Sequence, residues 1–394
     1  MNTIGIVAEF NPFHEGHAYL FRKAKELTGA GRICCVMSGN FVQRGTPAVF
    51  DKWERAEAAI RGGADLILEL PAIFSCASSR EFARGAVNIL SGLGTVDVLA
   101  CGSEAGDAAL LKQAARLART AEDSPSLKEY LQQGLSFPAA RQKVLDDLCQ
   151  DADPQLDPQL YKQPNNILAL SYLQALEDPL IVPEEGKPAF FTLKRGDDGH
   201  HVTASRLRAA LAADPSTGKR LQEIESRFFD LLRYTVLRSA PEELEEIASA
   251  GEGLGYLLKK EIRRATSLTD LKKRLKSRRY TETRLDRLFV QTLLGIRRAD
   301  LAGASAYLRP LAFNDAGAAL LRESKAGGKA RLPFVEDVAG SLRAQDRIQA
   351  GTAGEALRRT LEIEVLAGDL YALLSGDSLY AASDYVRKPR PVRP

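Results

Sequence analysis

The sequence predicts an α/β protein, a Rossmann-like parallel sheet followed by a mostly α-helical domain. Three observations predict it. Short apolar runs alternate with helical patterns through the first half, which means βαβ units. The loops after those runs are rich in Gly, Ser, Asn, His and Arg, as suits the carboxyl edge of a parallel sheet where ligands bind. Beyond residue 216 the apolar spacing is that of helices.

Taken in order, TIGIVA (3–8) is the first strand, and a helical pattern from Tyr19 to Leu27 ends near Gly29. RICCVMSG (32–39) is a second buried strand. Lys52 to Gly62 is helical, with Ala56, Ala59 and Ile60 on one face. DLILELP (65–71) and TVDVLACG (95–102) are further strands, with a helix at 78–92 between them. Residues 107–180 read as largely helical around an acidic loop at 151–159. AFFTLKR (189–195) is a last strand leading into a helix, Thr203–Leu211. Asp214-Pro215-Ser216-Thr217-Gly218 reads as a linker. Helical periodicity then covers 219–238, 241–249, 254–265, 268–276, 281–296, 316–324 and 353–375. The expected division is a nucleotide-binding catalytic domain at 1–215, a basic helical domain at 216–385, and a disordered basic tail at 386–394.

A chain of 394 residues is long for one domain, and 45% hydrophobic with 27% charged residues is the balance of a soluble globular protein. No apolar run reaches ~18 residues, so no membrane span and no membrane partner is expected. The N-terminus lacks a basic n-region and reads as a strand, not a signal peptide. Cys34, Cys35, Cys76, Cys101 and Cys149 are odd in number and show no C-x-x-C spacing. They read as reduced thiols of a cytoplasmic protein, not as a disulfide or zinc framework. The net charge of +3 hides an asymmetry: residues 217–394 hold 32 Lys and Arg against 24 Asp and Glu, leaving 22 against 27 in 1–216. That split suggests catalysis in one half and polyanion binding in the other.

The strongest motif is Asn11-Pro12-Phe13-His14-Glu15-Gly16-His17, directly after the first strand. A helix start there offers unpaired N–H groups and a positive dipole end to phosphates. His14 and His17 share a face and are the candidate catalytic donors to phosphate oxygens. Gly16 removes a side chain where a nucleotide approaches. The zinc-helix pattern spaces its histidines four apart, and here they stand three apart across a Gly, so no protein metal site is expected. His200-His201 precede a second motif, in which Thr203 or Ser205 caps a helix and Arg208 stands one turn in. This is the layout of a clamp for the departing β- and γ-phosphates. Ser38, Gly39, Asn40, Gln43 and Arg44 follow the second strand and could hold a carboxylate or a phosphate. Gly102 would let an adenine ring lie against the backbone, and Asn165 either reads the nucleotide or caps its helix.

The basic half carries Lys259, Lys260, Arg263, Arg264, Lys272, Lys273, Arg274, Lys276, Arg278, Arg279, Tyr280 and Arg284. Between 262 and 281 only Asp270 is acidic, so internal pairing is not expected to absorb the charge. Such density beside an aromatic suits an RNA backbone and a splayed base. A plain small-molecule nucleotidylyltransferase would leave this half idle. A non-catalytic RNA-binding protein would have no use for the intact histidine motif.

In order, FNPFHEGH, VMSGNFVQRGTP, ADLILELP, GSE, PNNIL and TASRLR resemble the bacterial tRNA(Met) cytidine acetate ligases. The likeness continues through GLGYLLKK, KSRRYTETRLDRL and YLRPLAFNDAGAALL. It implies a nucleotidylyltransferase-like fold of the H-x-G-H class with an added RNA-binding domain. It implies that ATP, entering with Mg²⁺, and acetate form acetyl-adenylate, with no tightly bound cofactor. The acetyl group then passes to the wobble cytidine of elongator methionine tRNA. The implied ATP contacts are Val7, Ala8, Glu9, Phe10, Asn11, Pro12, Phe13, His14, Glu15, Gly16, His17, Ala18, Tyr19 and Leu20, with Gly102, Asn165 and Arg195.

Overall fold

The computed structural model describes residues 2–150, 156–196, 204–277, 279–345 and 353–393. The expected contributions of His200, His201, Thr203 and Arg278 lie outside the described residues.

The strands are β1 (Thr3–Ala8), β2 (Arg32–Ser38), β3 (Phe41–Val42), β4 (Thr46–Pro47), β5 (Leu66–Leu70), β6 (Val98–Ser103), β7 (Ala189–Lys194), β8 (Pro310–Phe313) and β9 (Arg390–Pro391). Seven of them form one sheet in the order β7-β6-β1-β2-β5-β8-β9, while β3 and β4 make a small hairpin on the loop after β2. The first five strands of that order run parallel. Helices cover both faces, so β2 and β5 are buried on both sides and read as continuous apolar runs. The chain progresses from β1 through β2 to β5, then crosses back to β6 on the other side of β1. The switch point therefore lies between β1 and β6, and a crevice opens beyond their carboxyl ends.

The helices of this half are punctuated by their caps. Asp51, Ser78 and Asp107 accept main-chain N–H bonds at the starts of Lys52–Arg61, Ser79–Gly92 and Ala108–Asp123. Gly29 closes Glu15–Thr28 in the left-handed conformation at φ 68°. All five cysteines are free and buried.

The second half departs from expectation in three places. Asp214 to Gly218 is not a linker: the Asp214 carboxylate accepts from Thr217 N at 2.9 Å, Pro215 takes the first helical position, and a helix runs from Pro215 to Arg238. Pro310–Phe313 is a strand, β8, pairing antiparallel with β5 inside the catalytic sheet. Four apolar residues between helical patterns are too short a run to be told from a loop. The tail is ordered through 393. β9 pairs parallel with β8, and Val392 donates its N–H to Phe313 O at 2.8 Å and is buried. Arg387 pairs with Asp51 at 2.8 Å and Arg390 with Glu57 at 3.4 Å. Basic, proline-rich composition suggested disorder, but an open edge of β8 supplied the partner that composition cannot reveal.

The two halves also share a buried ionic cluster. Lys52 Nζ lies 2.5 Å from Glu69, 2.9 Å from Glu364 and 2.7 Å from Asp384. Arg309 stands 3.1 Å from both Glu69 and Asp384, and Tyr307 donates its hydroxyl to Glu69 at 2.9 Å. The three carboxylates are close enough together for a metal ion, yet the Lys52 ammonium fills their centre.

Candidate active site

β1 ends at Ala8, and Phe10 takes a positive φ of 45° before the cis peptide Asn11–Pro12 turns the chain into the helix Glu15–Thr28. Here the two histidines cap each other. His14 Nδ1 accepts from Gly16 N at 3.1 Å, and His17 Nδ1 accepts from His14 N at 3.2 Å. This is a capping box built from imidazoles. With both Nδ1 atoms accepting, each neutral ring carries its proton on Nε2, which is left as a donor. The ring centroids are 3.9 Å apart. Phe10 and Phe13 pack against His17, with centroids at 4.9 and 5.5 Å, and hold its ring in place. Burial, then Arg195 and Arg208, lowers the His14 pKa. Burial, then His14 and Arg195, takes His17 well below the ordinary imidazole range. Both rings are thus neutral donors at neutral pH. A Cβ on Gly16 would lie 3.0 Å from His14 Cε1, so glycine makes room for the imidazole itself.

Val7, Ala8, Glu9, Phe10, Asn11, His17 and Leu20 line a cleft of about 1050 Å³ at the switch point. His14 does not line it; its ring lies against that of His17, which does. Pro12, Phe13, Glu15, Gly16, Ala18 and Tyr19 do not line it; Phe13 instead packs under Gly62, where a Cβ would fall 2.1 Å from its ring. Gly102 lines the floor, with Arg195 Cγ 3.2 Å from where a Cβ would sit. Glu104 caps the helix Pro164–Leu176, accepting from Asn166 N at 2.8 Å and from the Asn165 amide at 2.7 Å. Asn165 lines the cleft while its neighbour Asn166 is buried and accepts from Ala105 N at 3.0 Å. The helix Ala204–Ala213 brings Ser205 and Arg208 to the same cleft. Arg208 donates to Ser205 Oγ at 3.2 Å and to Asn11 O at 2.9 Å.

The loop after β2 divides in two. Gln43 and Arg44 line the cleft, and Gln43 N donates to the Glu9 carboxylate at 2.8 Å. Burial raises the Glu9 pKa. Ser38, Gly39 and Asn40 do not reach the cleft and are buried. Asn40 Oδ1 accepts from Lys52 N at 2.8 Å, and Gly39 abuts the Glu364 carboxylate, 2.8 Å from where a Cβ would stand. The contacts of Gly39 and Asn40 are made within the protein.

The basic run is corrected more sharply. Lys259 Nζ donates to the carbonyls of Val236, Leu237 and Ser239 at 2.6–2.8 Å, capping the end of Pro215–Arg238. Tyr280 is buried, with its hydroxyl on Glu252 O at 2.9 Å. Lys272 pairs with Asp286, Lys276 with Glu282, Arg264 with Glu261, and Arg274 with Asp270 and Glu261. Arg284 pairs with Glu252 and donates to two carbonyls. Five carboxylates in and beside the run pair with five of its cations and, among the described residues, leave the rest of its charge unmatched. Lys260, Arg263 and Lys273 stay exposed with no side-chain partner among the described residues.

The cleft takes a different set from that half. Arg279, Thr281, Thr283, Arg284 and Arg287 line it from the start of the helix Glu282–Leu294. Arg287 was not expected; its three-residue spacing from Arg284 was the available signal. Among the described residues, the guanidiniums of Arg44, Arg195, Arg279 and Arg287 have no hydrogen bond or ion pair. The cleft thus presents four guanidiniums that no hydrogen bond or ion pair engages, beside the carboxylates of Glu9 and Glu122.

Breaking a nucleotide between its phosphates requires donors at the reacting phosphate and cations on the leaving group, and this cleft offers both. Residues 1–384 match the family described as HIGH Nucleotidyl Transferase. The tRNA(Met) cytidine acetate ligase of Acetivibrio thermocellus is 33% identical, over 95% of each chain, and that of Halothermothrix orenii is 33% identical over 96% of each. The crystal structure of Thermotoga maritima TmcAL bound with alpha-thio ATP matches with a TM-score of 0.85 at 27% identity, covering 100% of both chains. The chain belongs to the tRNA(Met) cytidine acetate ligase family.

Proposed function

We propose that this chain is an ATP-dependent ligase that activates acetate and acetylates the N4 amine of the wobble cytidine in elongator methionine tRNA. The carrying observation is that one cleft is walled by the histidine loop on one side and by Arg279–Arg287 on the other. Its volume is at the upper end for a small-molecule site, leaving room for a nucleotide and a base together.

In the first step an acetate oxygen attacks the α-phosphorus of ATP. The new O–P bond forms as the bond to the β-phosphate's bridging oxygen breaks, and pyrophosphate leaves. His14 and His17 donate from Nε2 to the phosphate oxygens as their charge shifts, and Arg195 and Arg208 hold the leaving group. The Oδ1 of Asn165, which has no partner among the described residues, suits the adenine amine. Magnesium enters as part of the nucleotide substrate. In the second step the cytidine N4 attacks the acetyl carbon, the C–N bond forms, AMP departs and the amine loses one proton. Arg279 and Arg287 offer contacts to the RNA backbone at the cleft's outer wall. The names of the relatives and the alpha-thio ATP carried by the structural neighbour support this reading.

Acetate-dependent exchange of labelled pyrophosphate into ATP tests the first step, and mass spectrometry of nucleosides from treated tRNA tests the second. No exchange with acetate, but exchange when a phosphate-bearing acceptor is supplied, would instead indicate a small-molecule nucleotidylyltransferase.

A further inference from the structure

Arg55 carries a guanidinium that the chemistry above does not use. It is 1% exposed and, among the described residues, makes no ion pair. Its donors go to main-chain carbonyls only. Nε donates to Phe50 O at 3.0 Å, Nη1 to Glu9 O at 2.5 Å and Ser38 O at 3.2 Å, and Nη2 to Gly39 O. Glu9 is the first residue past β1; Ser38 and Gly39 straddle the end of β2. These are neighbouring parallel strands, and the loops leaving them carry the histidines on one side and Gln43–Arg44 on the other.

We propose that Arg55 is a positioning residue, which sets the gap between the H-x-G-H loop and the Gln43–Arg44 loop and thereby places the imidazoles against the reacting acid. Neighbouring bonds converge on the same joint. Val49 N donates to Asn11 Oδ1 at 2.8 Å and Lys52 N to Asn40 Oδ1 at 2.8 Å, so the start of one helix fastens both loops. The Glu9 carboxylate, bound to Gln43 N, ties them across the top. A planar fork is the side chain that can satisfy several carbonyls in fixed directions; an ammonium is a point donor. The choice of partner matters as well. Carbonyls hold the guanidinium without an ion pair, so its charge stands beneath the cleft and near the Glu9 carboxylate that lines it. Burial pulls the Arg55 pKa down to about 10, which leaves it charged at neutral pH.

This inference rests on the adenylation reading, and its test separates the two. Arg55→Lys and Arg55→Met would be compared with wild type for thermal unfolding, ATP affinity by calorimetry, and kcat and KM in acetate-dependent pyrophosphate exchange. Arg55→Lys is expected to remain folded and to lose ~10–100-fold in exchange kcat with little change in KM, the loss that small displacements of reacting groups produce. Arg55→Met should lose at least as much, and methylguanidinium should restore part of its rate. A lysine variant with wild-type kcat and KM, however lowered its melting temperature, overturns the proposal, because a merely structural residue behaves that way. So does failure of both variants to fold. If wild type shows no acetate-dependent exchange, the adenylation reading fails first. The positioning role then falls with it, whereas a wild type that exchanges and a lysine variant that matches it overturn the positioning role alone.

Discussion

Arg208 donates from Nη1 to the carbonyl oxygen of Asn11 at 2.9 Å, joining residues 197 positions apart in the chain. The second basic motif is thereby locked onto the histidine loop, and its guanidinium faces the same cleft as His17.

His14→Ala and His17→Ala should each lower acetate-dependent pyrophosphate exchange by ~10²–10³-fold, the usual cost of one lost transition-state donor. Each imidazole also caps the helix, so unfolding must be measured alongside. Folded variants that exchange at the wild-type rate would remove the histidines from the chemistry.

Both imidazoles are held below their ordinary value of 6.5 in the free protein. Phosphates brought to Nε2 favour the charged ring and raise its pKa. Between the lowered and the restored pKa the complex binds more protons than the free protein. Nucleotide binding near pH 6 should therefore take up protons, seen as a dependence of calorimetric heat on buffer ionisation enthalpy. Proton release, or none, would contradict the placement of phosphates at these rings.

Arg279→Glu and Arg287→Glu should abolish tRNA acetylation while sparing acetate-dependent exchange by comparison. Lys259→Met should do the reverse of a binding mutant: tRNA affinity stays, and the melting temperature falls as three carbonyls lose their donor. Equal loss of tRNA affinity in all three would restore the whole basic run as the RNA surface.

In the buried cluster, burial and then the charge of Glu69 push Glu364 up to about 8. Against the cost of burial, Arg309 and Lys52 hold Asp384 down at about 2. With Glu364 protonated, two cations face two ionised carboxylates and the cluster is balanced. Asp384→Asn should cost about 3–5 kcal/mol at pH 7, the range for breaking a buried pair, and Glu364→Gln clearly less. The folded pKa of Glu364 lies above its ordinary 4.5. Its contribution is thus fully present below that value and is lost as pH rises through about 8. Urea titrations across pH 5 to 8 should show that decline in wild type and not in Glu364→Gln. Equal costs for both variants would refute the assignment of the proton.

Much of the first half was legible because its signals are local. Apolar runs gave the parallel strands, and the histidines, Arg195, Ser205 and Arg208 sit where motif and helix start coincide. What escaped was set by partners distant in sequence. β8 is a short strand made stable by the edge of β5, some 240 residues earlier, and β9 by the edge of β8, some 80 residues earlier. The charge of the basic run looked free because only Asp270 is acidic between 262 and 281, while the other carboxylates stand just outside that stretch, at Glu252, Glu261, Glu282 and Asp286. The apolar spacing of 52–62 picked out Ala56, Ala59 and Ile60 but not Lys52 and Arg55, which are buried too; the partner that buries Lys52, Asp384, comes from the chain's far end.

The position of Lys52 sets a timetable for the newborn chain. Its partners Glu364 and Asp384 are made 312 and 332 residues later. At ordinary rates of synthesis, ~5–20 residues per second, the ammonium waits about 15–60 seconds for them. Until then Lys52 has only Glu69, made 17 residues after it, to pair with. The cluster closes last, and a copy cut short before Asp384 would leave Lys52 and Arg309 sharing one carboxylate fewer beneath the helix that carries Arg55.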